Sequence, residues 1–511
     1  MKKIFYNIIL VASLGVVSSC NNDLLDNFTP GAQTEDVAVT KSDDLKSLMN
    51  SSLAILSDRT ETVFNSVFTD EIGIGFANGG QGINTDFVFF QAPTSTGPSA
   101  IWINSYAALS RLNRVIVFAD EIVPKDNDDV KVIARLKAEA LTVRALLHLK
   151  LLAYYTTDMK DNNALSAMKA DKVFISTETD NARITNGEMY AFIHSDLNAA
   201  LTIYNSVNPP ANPAGSETYY ASKNLAKFLH ARAYAYKGDY VNAELWADDV
   251  INTSGIALAT PANYSSVFWT DSEPANTEVV FRLRRTLNQN SQGTNLGNGY
   301  ASVTSTANGS PFYEIGRALF NKIPTNDSRY ATIVHSSSVI NPNYATVDDY
   351  RNADKLIIGK NRGNASRGVL NVDYKLARLS EMHLIKAEAR VAAGDLAGAG
   401  TALKILLDKR FAAAQATPIF ANPAAAWAYI LNQRRIEFAF EAFRFIDLKR
   451  LKDLAGVGID RDAADYSSNS YNFPGANPTN FPNNSHKWAL PIPQAELIVN
   501  KAIVSQQNPG Y

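Results

Sequence analysis

Cysteine is almost absent from this chain, since Cys20 carries the only thiol among 511 residues. The folded protein therefore contains no intramolecular disulfide and must rest on the packing of apolar side chains. A hydrophobic content of 46% is ample for a large core. We expect a globular fold that needs no covalent cross-link.

Long runs of one charge and long apolar runs are also missing from most of the sequence. The net charge is -2 and no extended stretch has a single sign, which argues against a nucleic acid as partner. After residue 19, no apolar stretch is long enough to cross a bilayer. Any attachment to a membrane must then come from a lipid.

The common signatures of metal and cofactor sites do not occur either. The six histidines are scattered, and no Cys/His cluster predicts a zinc site. The chain has no Gly-x-Ser-x-Gly elbow, P-loop or EF-hand loop. The passage Gly73-Ile-Gly75-Phe-Ala-Asn78 has asparagine where a dinucleotide fingerprint needs its third glycine. We therefore expect no cofactor and identify no metal ligands, although the sequence leaves open whether a metal supports the loops.

The N-terminus has the pattern of a secretory signal. Two lysines precede the apolar run Ile4–Val17, and small residues lead to Cys20. A lone cysteine directly after such a segment resembles the lipid-acceptor residue of bacterial lipoproteins. We predict a signal peptide over residues 1–19, lipidation of Cys20 and a flexible tether over 20–40. An ordinary secretory signal with an incidental cysteine is the alternative.

Apolar residues then recur at helical spacing over long stretches. The spacing predicts helices over Ser42–Ser57, Ile101–Ala119, Asp129–Tyr155 and Thr185–Tyr204. The last of these begins with a capping-box pattern, because Glu188 follows Thr185 by three residues.

Two passages have the spacing of helix pairs joined by a tight turn. Tyr234-x3-Gly238-Asp239-Tyr240-x2-Ala243-x3-Ala247 resembles the tetratricopeptide pattern, which returns at Ala387-x6-Gly394-Asp395-Leu396-x2-Ala399-x3-Leu403. Glycine suits the turn because it adopts left-handed dihedral angles without strain. Repeat units bury their apolar faces on neighbours. We therefore expect further helix pairs in the stack, above all 129–155 with 185–204.

A different pattern occupies the later part of the chain. Residues Glu278–Arg284 alternate like a strand, and Gly, Asn, Ser and Thr crowd residues 286–311, which indicates a loop. Irregular, proline-rich structure is expected from Tyr466 to Tyr511.

Two segments combine aromatic rings with polar side chains. Sugars present apolar C–H faces and a rim of hydroxyls, so rings can cover the faces while amides, carboxylates and guanidiniums bind the hydroxyls. Packing beneath a loop is the alternative for each ring, and Trp102 and Trp269 are expected in the core. The ligand-binding candidates are Asp70, Asn78, Gln81, Asn84, Phe87 and Phe89 in the first segment, and Arg284, Asn298, Tyr300, Phe312 and Tyr313 in the second.

Paired carboxylates at Glu437 and Glu441 have the helical spacing that a glycoside hydrolase could use. Arg434, Arg435 and Arg444 lie close in sequence, however. Ion pairing would lower the pKa of both glutamates, whereas an acid catalyst needs a raised pKa. We favour internal ion pairs.

Several motifs together identify a resemblance. The passage Arg435-Ile-Glu-Phe-Ala-Phe-Glu-Ala-Phe-Arg444-Phe-Ile-Asp447-Leu-Lys-Arg450 is similar to the family motif R-R-x-E-L-A-F-E-G-x-R-x-x-D-L, with Ala442 in place of glycine. With these residues the chain resembles the SusD/RagB-like nutrient-binding lipoproteins of the outer membrane. The other passages that carry the resemblance are Arg378-Leu-Ser-Glu381-Met-His-Leu-Ile-Lys-Ala-Glu388-Ala, Asn326-Asp327-Ser-Arg329, Leu490-Pro-Ile-Pro493 and Gln507-Asn-Pro-Gly-Tyr511.

The resemblance implies a mainly α fold, in which tetratricopeptide-like helix pairs form a right-handed helical scaffold beneath a loop-rich ligand face. It implies one domain over 41–511, made of scaffold segments 41–259 and 372–455, a loop-rich insertion over 260–371 and an irregular segment over 456–511.

The same resemblance implies a function. It predicts a protein without catalytic activity, anchored to the outer membrane and facing the cell exterior, that binds a glycan or a peptide. The partner would be a TonB-dependent, SusC-like transporter that receives the ligand. A lipid-anchored glycan hydrolase and a pure protein-binding scaffold are the rivals.

Overall fold

The computed structural model shows a mainly α protein, which confirms the predicted class. The residues that it describes are 39–56, 59–75, 78, 80, 82–83, 85–173, 181–207, 217–285, 297, 300, 312–344, 354–361, 363, 370–468, 471–472 and 479–511. Cys20, the predicted signal and the predicted tether up to residue 38 lie outside them. Within the described ranges, no helix combines the length and the hydropathy that a bilayer span requires.

The helices are numbered here in chain order. They are α1 (Ser42–Leu56), α2 (Thr60–Phe68), α3 (Thr96–Glu121), α4 (Asn127–Tyr155), α5 (Asn186–Ser206), α6 (Lys223–Lys237), α7 (Tyr240–Thr253), α8 (Tyr264–Trp269), α9 (Arg317–Phe320), α10 (Ser328–Ile333), α11 (Ser380–Ala392), α12 (Leu396–Leu407), α13 (Pro423–Glu437), α14 (Arg444–Ala455), α15 (Gln494–Val499) and α16 (Lys501–Val504).

The helices pack as neighbouring pairs, as predicted. Helix α4 lies along α5, α6 along α7, and α11 along α12, while α7 also packs on α11 and so joins two pairs that are far apart in sequence. Gly238 and Gly394 end the first helix of their pairs with φ of 81° and 79°. The next residue in each case, Asp239 or Asp395, caps the second helix through its carboxylate.

The predicted capping box at the start of α5 is confirmed. The Thr185 hydroxyl accepts a hydrogen bond from the Glu188 N–H (3.3 Å), and the Glu188 carboxylate accepts one from the Thr185 N–H (2.9 Å). Two of the four unpaired N–H groups at this terminus are thereby satisfied by side chains.

Among the described residues, the strands form four two-stranded antiparallel pairs: β1 (Ile72–Ile74) with β5 (Tyr313–Ile315), β2 (Leu165–Met168) with β3 (Arg183–Thr185), β4 (Val279–Leu283) with β6 (Tyr374–Arg378), and β7 (Ser467–Ser468) with β8 (Tyr471–Asn472). The strand predicted at Glu278–Arg284 is therefore confirmed. All five residues of β4 are buried rather than alternating, because the protein covers both faces of this pair.

Two hydrophobic clusters matter for the functional site. The larger one fills the space between the paired helices, and it includes Trp102, which is 1% exposed as expected. A second cluster lies beneath the β1–β5 pair and contains Ile72, Phe87 and Tyr313. The irregular structure expected after Tyr466 is interrupted by the β7–β8 pair and by the short helices α15 and α16.

Candidate functional site

The two segments that were predicted to bind a ligand lie side by side. Strand β1 follows Asp70 and pairs with β5 through Ile72 opposite Ile315 and Ile74 opposite Tyr313. Beyond the strands, the Gly75 N–H donates to the Phe312 carbonyl (3.0 Å), and the Tyr313 hydroxyl donates to the Gly82 carbonyl (3.3 Å). The structure thus brings parts of both segments together at one edge, which we call the loop face: residues 82–91 without Asn84, together with 312–313.

Tyr300 stabilises this arrangement through hydrogen bonds from the protein interior. Its carbonyl accepts hydrogen bonds from the N–H groups of Phe312 (3.0 Å) and Tyr313 (2.9 Å). Its hydroxyl lies 3.0 Å from the Ser66 hydroxyl on α2, and the whole side chain is buried. Tyr300 therefore positions the loop rather than offering a ring to a ligand.

Asp70 is also part of the protein interior. The Arg444 guanidinium donates to both of its carboxylate oxygens (2.7 and 2.8 Å), and the Asp460 N–H donates to one of them (2.9 Å). Burial alone would raise the pKa of Asp70, but Arg435 and Arg444 hold it well below its ordinary range. The residue proposed as a ligand contact is thus a fully occupied ion-pair partner.

The rings of Phe87 and Phe89 are buried for a different reason. The Arg461 guanidinium lies 4.5 Å from the Phe87 ring centroid and 4.2 Å from that of Phe89, so a cation covers the rings. Asn78 and Tyr313 are buried as well. These side chains support the loop face, and the surface role predicted for them does not fit their positions.

Two of the predicted residues do reach the surface. Phe312 is half-buried, with its ring against Tyr313, and Arg284 is exposed above the Tyr219 ring at 5.5 Å. The other three candidates, Gln81, Asn84 and Asn298, lie outside the described residues.

The prediction missed Phe90, which is the most exposed ring of the loop face at 52%. Phe90 follows Phe89 directly, and Phe89 has a φ of 58°. This left-handed turn directs one ring into the core and leaves its neighbour in solvent. A stretch of apolar residues does not indicate such a turn, so the sequence alone could not show that Phe89 is buried and Phe90 is exposed.

Asp86 and Gln91 were missed too. The Gln91 amide donates to Asp86 Oδ1 (2.9 Å), which leaves Asp86 Oδ2 without a hydrogen bond from any described residue. The carbonyl oxygen of the buried Gln91 side chain has no partner within the same ranges. Burial raises the pKa of Asp86 to about 6. The loop face therefore holds one carboxylate oxygen of Asp86 that can serve as an acceptor, close in sequence to the exposed ring of Phe90.

Glu437 and Glu441 do not form a catalytic pair. Glu437 is ion-paired with Arg378 and Arg410, and Glu441 with Arg378 and Lys360. Internal ion pairing is confirmed, but the partners named from the sequence are wrong: Arg434 pairs with Glu388 and Asp447, while Arg435 and Arg444 pair with Asp70. In the described part of the chain, no group of three or more His, Cys, Asp or Glu side chains is arranged to hold a metal ion.

Comparison with known proteins supports the resemblance seen in the sequence. The sequence model of the SusD family matches residues 277–511. No curated protein matches the chain.

Solved structures share its fold. A SusD superfamily protein from Bacteroides thetaiotaomicron VPI-5482 is 21% identical with a TM-score of 0.72, covering 92% of this chain and 100% of that one. A SusD-like carbohydrate-binding protein from Bacteroides vulgatus ATCC 8482 is 18% identical with a TM-score of 0.71, covering 91% and 97%. A laminarin-binding SusD-like protein is 19% identical with a TM-score of 0.66, covering 93% and 100%.

Proposed function

We propose that this chain is a surface lipoprotein of the outer membrane that binds an oligo- or polysaccharide and delivers it to a partner TonB-dependent transporter. The SusD family match over residues 277–511 supports the proposal. So does the shared fold with structures described as carbohydrate-binding and laminarin-binding. The binding is reversible and involves no chemical step.

The observation that carries the proposal is the composition of the loop face. The exposed ring of Phe90 offers a flat apolar surface, and the half-buried ring of Phe312 lies by the same loop. The Asp86 oxygen that receives no hydrogen bond from the described residues can accept one from a sugar hydroxyl. A ring face beside hydrogen-bond acceptors is the combination that a sugar needs.

A titration calorimetry experiment separates a glycan ligand from a peptide ligand. The purified mature chain is titrated with laminarin, with a series of other neutral polysaccharides, and with a mixture of short peptides. We expect saturable binding of at least one polysaccharide at micromolar to millimolar dissociation constants, about -4 to -8 kcal/mol. Binding of peptides alone, or of neither class, would contradict the glycan proposal.

An assay for new reducing ends tests the absence of catalysis. The polysaccharide that binds is incubated with the protein, and the expected rate of release equals that of buffer. Because Glu437 and Glu441 are buried in ion pairs, we expect no glycosidic cleavage. A rate of reducing-end release that increases with protein concentration would favour the lipid-anchored hydrolase.

Membrane attachment is tested with Cys20→Ser. The proposal places the acyl chains on Cys20, because burial of more than one acyl chain gives stable anchoring. We expect the variant to appear in the soluble fraction while the parent protein sediments with the outer membrane. Equal retention of both proteins in the membrane fraction would remove the lipid anchor from the proposal.

The titration of Asp86 makes ligand affinity depend on pH. Burial places its pKa at about 6, so the side chain is a neutral acid below that pH and a carboxylate above it. Hydrogen bonds to charged groups are stronger than neutral ones by about 1 kcal/mol. We expect affinity for the bound polysaccharide to rise roughly fivefold between pH 5 and pH 7. The isosteric variant Asp86→Asn should show a flat profile, and an unchanged slope in that variant would contradict the assignment.

A further inference from the structure

A second concave site lies away from the loop face. Between helices α8 and α10 and the segment that follows α10, the described residues line a cavity of about 530 Å³. Cavities that hold small ligands typically measure about 300–1,000 Å³. This volume suits a compact ligand of a few rings and is far too large for a single water site.

Two aromatic side chains, Trp269 and Tyr330, form part of the lining. Trp269 is the last residue of α8 and is half-buried, although the sequence favoured a core position. One side of it packs on the small cluster that contains Tyr264 and Phe268. Tyr330 lies on α10 and packs against Phe320, with ring centroids 5.9 Å apart. Both rings are held in place by the protein and still border the cavity.

The polar groups of these two side chains are available to bind a ligand. Within the described part of the chain, the Trp269 indole N–H and the Tyr330 hydroxyl make no hydrogen bond, and the Ser336 hydroxyl is exposed at the rim. No carboxylate, lysine or arginine occurs among the described lining residues. Ring faces and free donors, without a fixed charge on the described lining residues, favour a neutral ligand rich in hydroxyl groups.

Another part of the cavity lining is held in place by backbone contacts. The His335 N–H donates to the Ile357 carbonyl (2.9 Å), and the Ile357 N–H donates to the Ser338 hydroxyl (3.0 Å). Gly359 closes the wall, because a Cβ atom there would lie 2.8 Å from the Thr332 carbonyl oxygen. A preformed wall loses little entropy on binding.

We propose that this cavity, which we call the Trp269 cavity, is a second binding site that takes a short neutral saccharide. The site shares no lining residue with the loop face, so it does not depend on the function proposed for that face. The two rings would cover the C–H faces of one or two sugar units, and the indole N–H and hydroxyl groups would bind their oxygens.

Fluorine NMR of protein labelled with 5-fluorotryptophan tests this site directly. The chain has five tryptophans, and Trp269→Phe identifies the Trp269 signal. Laminaritriose and maltotriose are added separately as neutral probes. We expect the Trp269 signal to shift and saturate in the millimolar range with at least one of them. The buried Trp102, Trp427 and Trp488 serve as internal controls, and their signals should stay in place.

Two variants separate this site from the loop face. Ala331→Trp fills the cavity from an exposed position on α10 without removing a core contact, and should weaken the Trp269 response at least ~10-fold, equivalent to about 1.4 kcal/mol. Phe90→Ala alters only the loop face and should leave the response unchanged. No saturable Trp269 shift with either trisaccharide overturns the proposal, as does a shift that Ala331→Trp leaves intact. Loss of the response in Phe90→Ala would assign it to the loop face and overturn the second site.

Discussion

Replacing Glu437 with glutamine is expected to lower the free energy of unfolding by about 3–5 kcal/mol, because it removes the charge from a buried ion-pair network. Arg378 Nη1 and Arg410 Nη2 donate to Glu437 Oε1 at 2.8 Å each, and Arg410 Nε donates to Oε2 at 2.9 Å. The glutamate and both arginines are buried. The substitution removes one of the buried counter-charges of Arg378 and Arg410, and Glu278 and Glu441 then balance the two guanidiniums only in part.

Chemical denaturation at pH 7 measures this effect. Glu121→Gln is the matched control, since Glu121 lies exposed in the last turn of α3, and its free energy of unfolding should equal that of the parent protein. A loss below about 1 kcal/mol for Glu437→Gln would place its contribution in the range of surface ion pairs and contradict the network.

The same effect has a defined pH dependence. Burial alone would raise the pKa of Glu437, but Arg410 and Arg378 lower it well below its ordinary value. A carboxyl with a lowered folded-state pKa stabilises the protein above its unfolded-state pKa of about 4.3, and the contribution disappears as the pH falls through the folded-state value. The difference in free energy of unfolding between the parent and Glu437→Gln should therefore be largest at pH 7 and should decrease below about pH 4.3.

Asp70→Asn is the second variant with a large expected effect. Asp70 joins the segment before β1 to α14 through Arg444, and Arg435 lies 3.4 Å from the same carboxylate. Loss of the negative charge leaves two buried guanidiniums with only an amide in its place. We expect the free energy of unfolding to fall by about 3 kcal/mol. Asp120→Asn, which breaks an exposed pair with Lys137, should have little effect on unfolding.

This variant also distinguishes an interior ion pair from a ligand contact. At a temperature where Asp70→Asn remains folded, an interior role predicts polysaccharide affinity close to that of the parent. The role assigned from the sequence predicts the reverse, with weaker binding and unchanged stability. Weaker binding without loss of stability would therefore contradict the ion-pair role described above.

The local elements were predictable because their causes are local. The apolar spacing over 42–56, the capping box at Thr185 and the turn at Gly238 each depend on residues within a few positions of one another. Such signals are complete in a short stretch of sequence, so the helix pairs could be recognised before their packing was known.

The ion pairs and the loop face were harder because their causes are distant in sequence. Arg444 and Asp70 are 374 positions apart, and Arg410 reaches Glu437 across 27. Nearby arginines were therefore assigned to the wrong carboxylates. In the same way, the burial of Phe89 depends on Arg461, which covers its ring from a remote segment. Sequence shows which residue types a site needs, while tertiary packing decides which of them face solvent.

The exposed ring of Phe90 is the ligand contact on which the proposed glycan binding depends. Its role is measured by calorimetric titration of the parent, of Phe90→Ala and of Val241→Ala with the polysaccharide that the parent binds best. Val241 is an exposed apolar residue on α7, so its variant controls for general surface effects. We predict that Phe90→Ala weakens binding by ~10- to 100-fold, about 1.5–3 kcal/mol for the contact area of one ring, while Val241→Ala binds like the parent. Equal affinity for all three proteins would contradict the account.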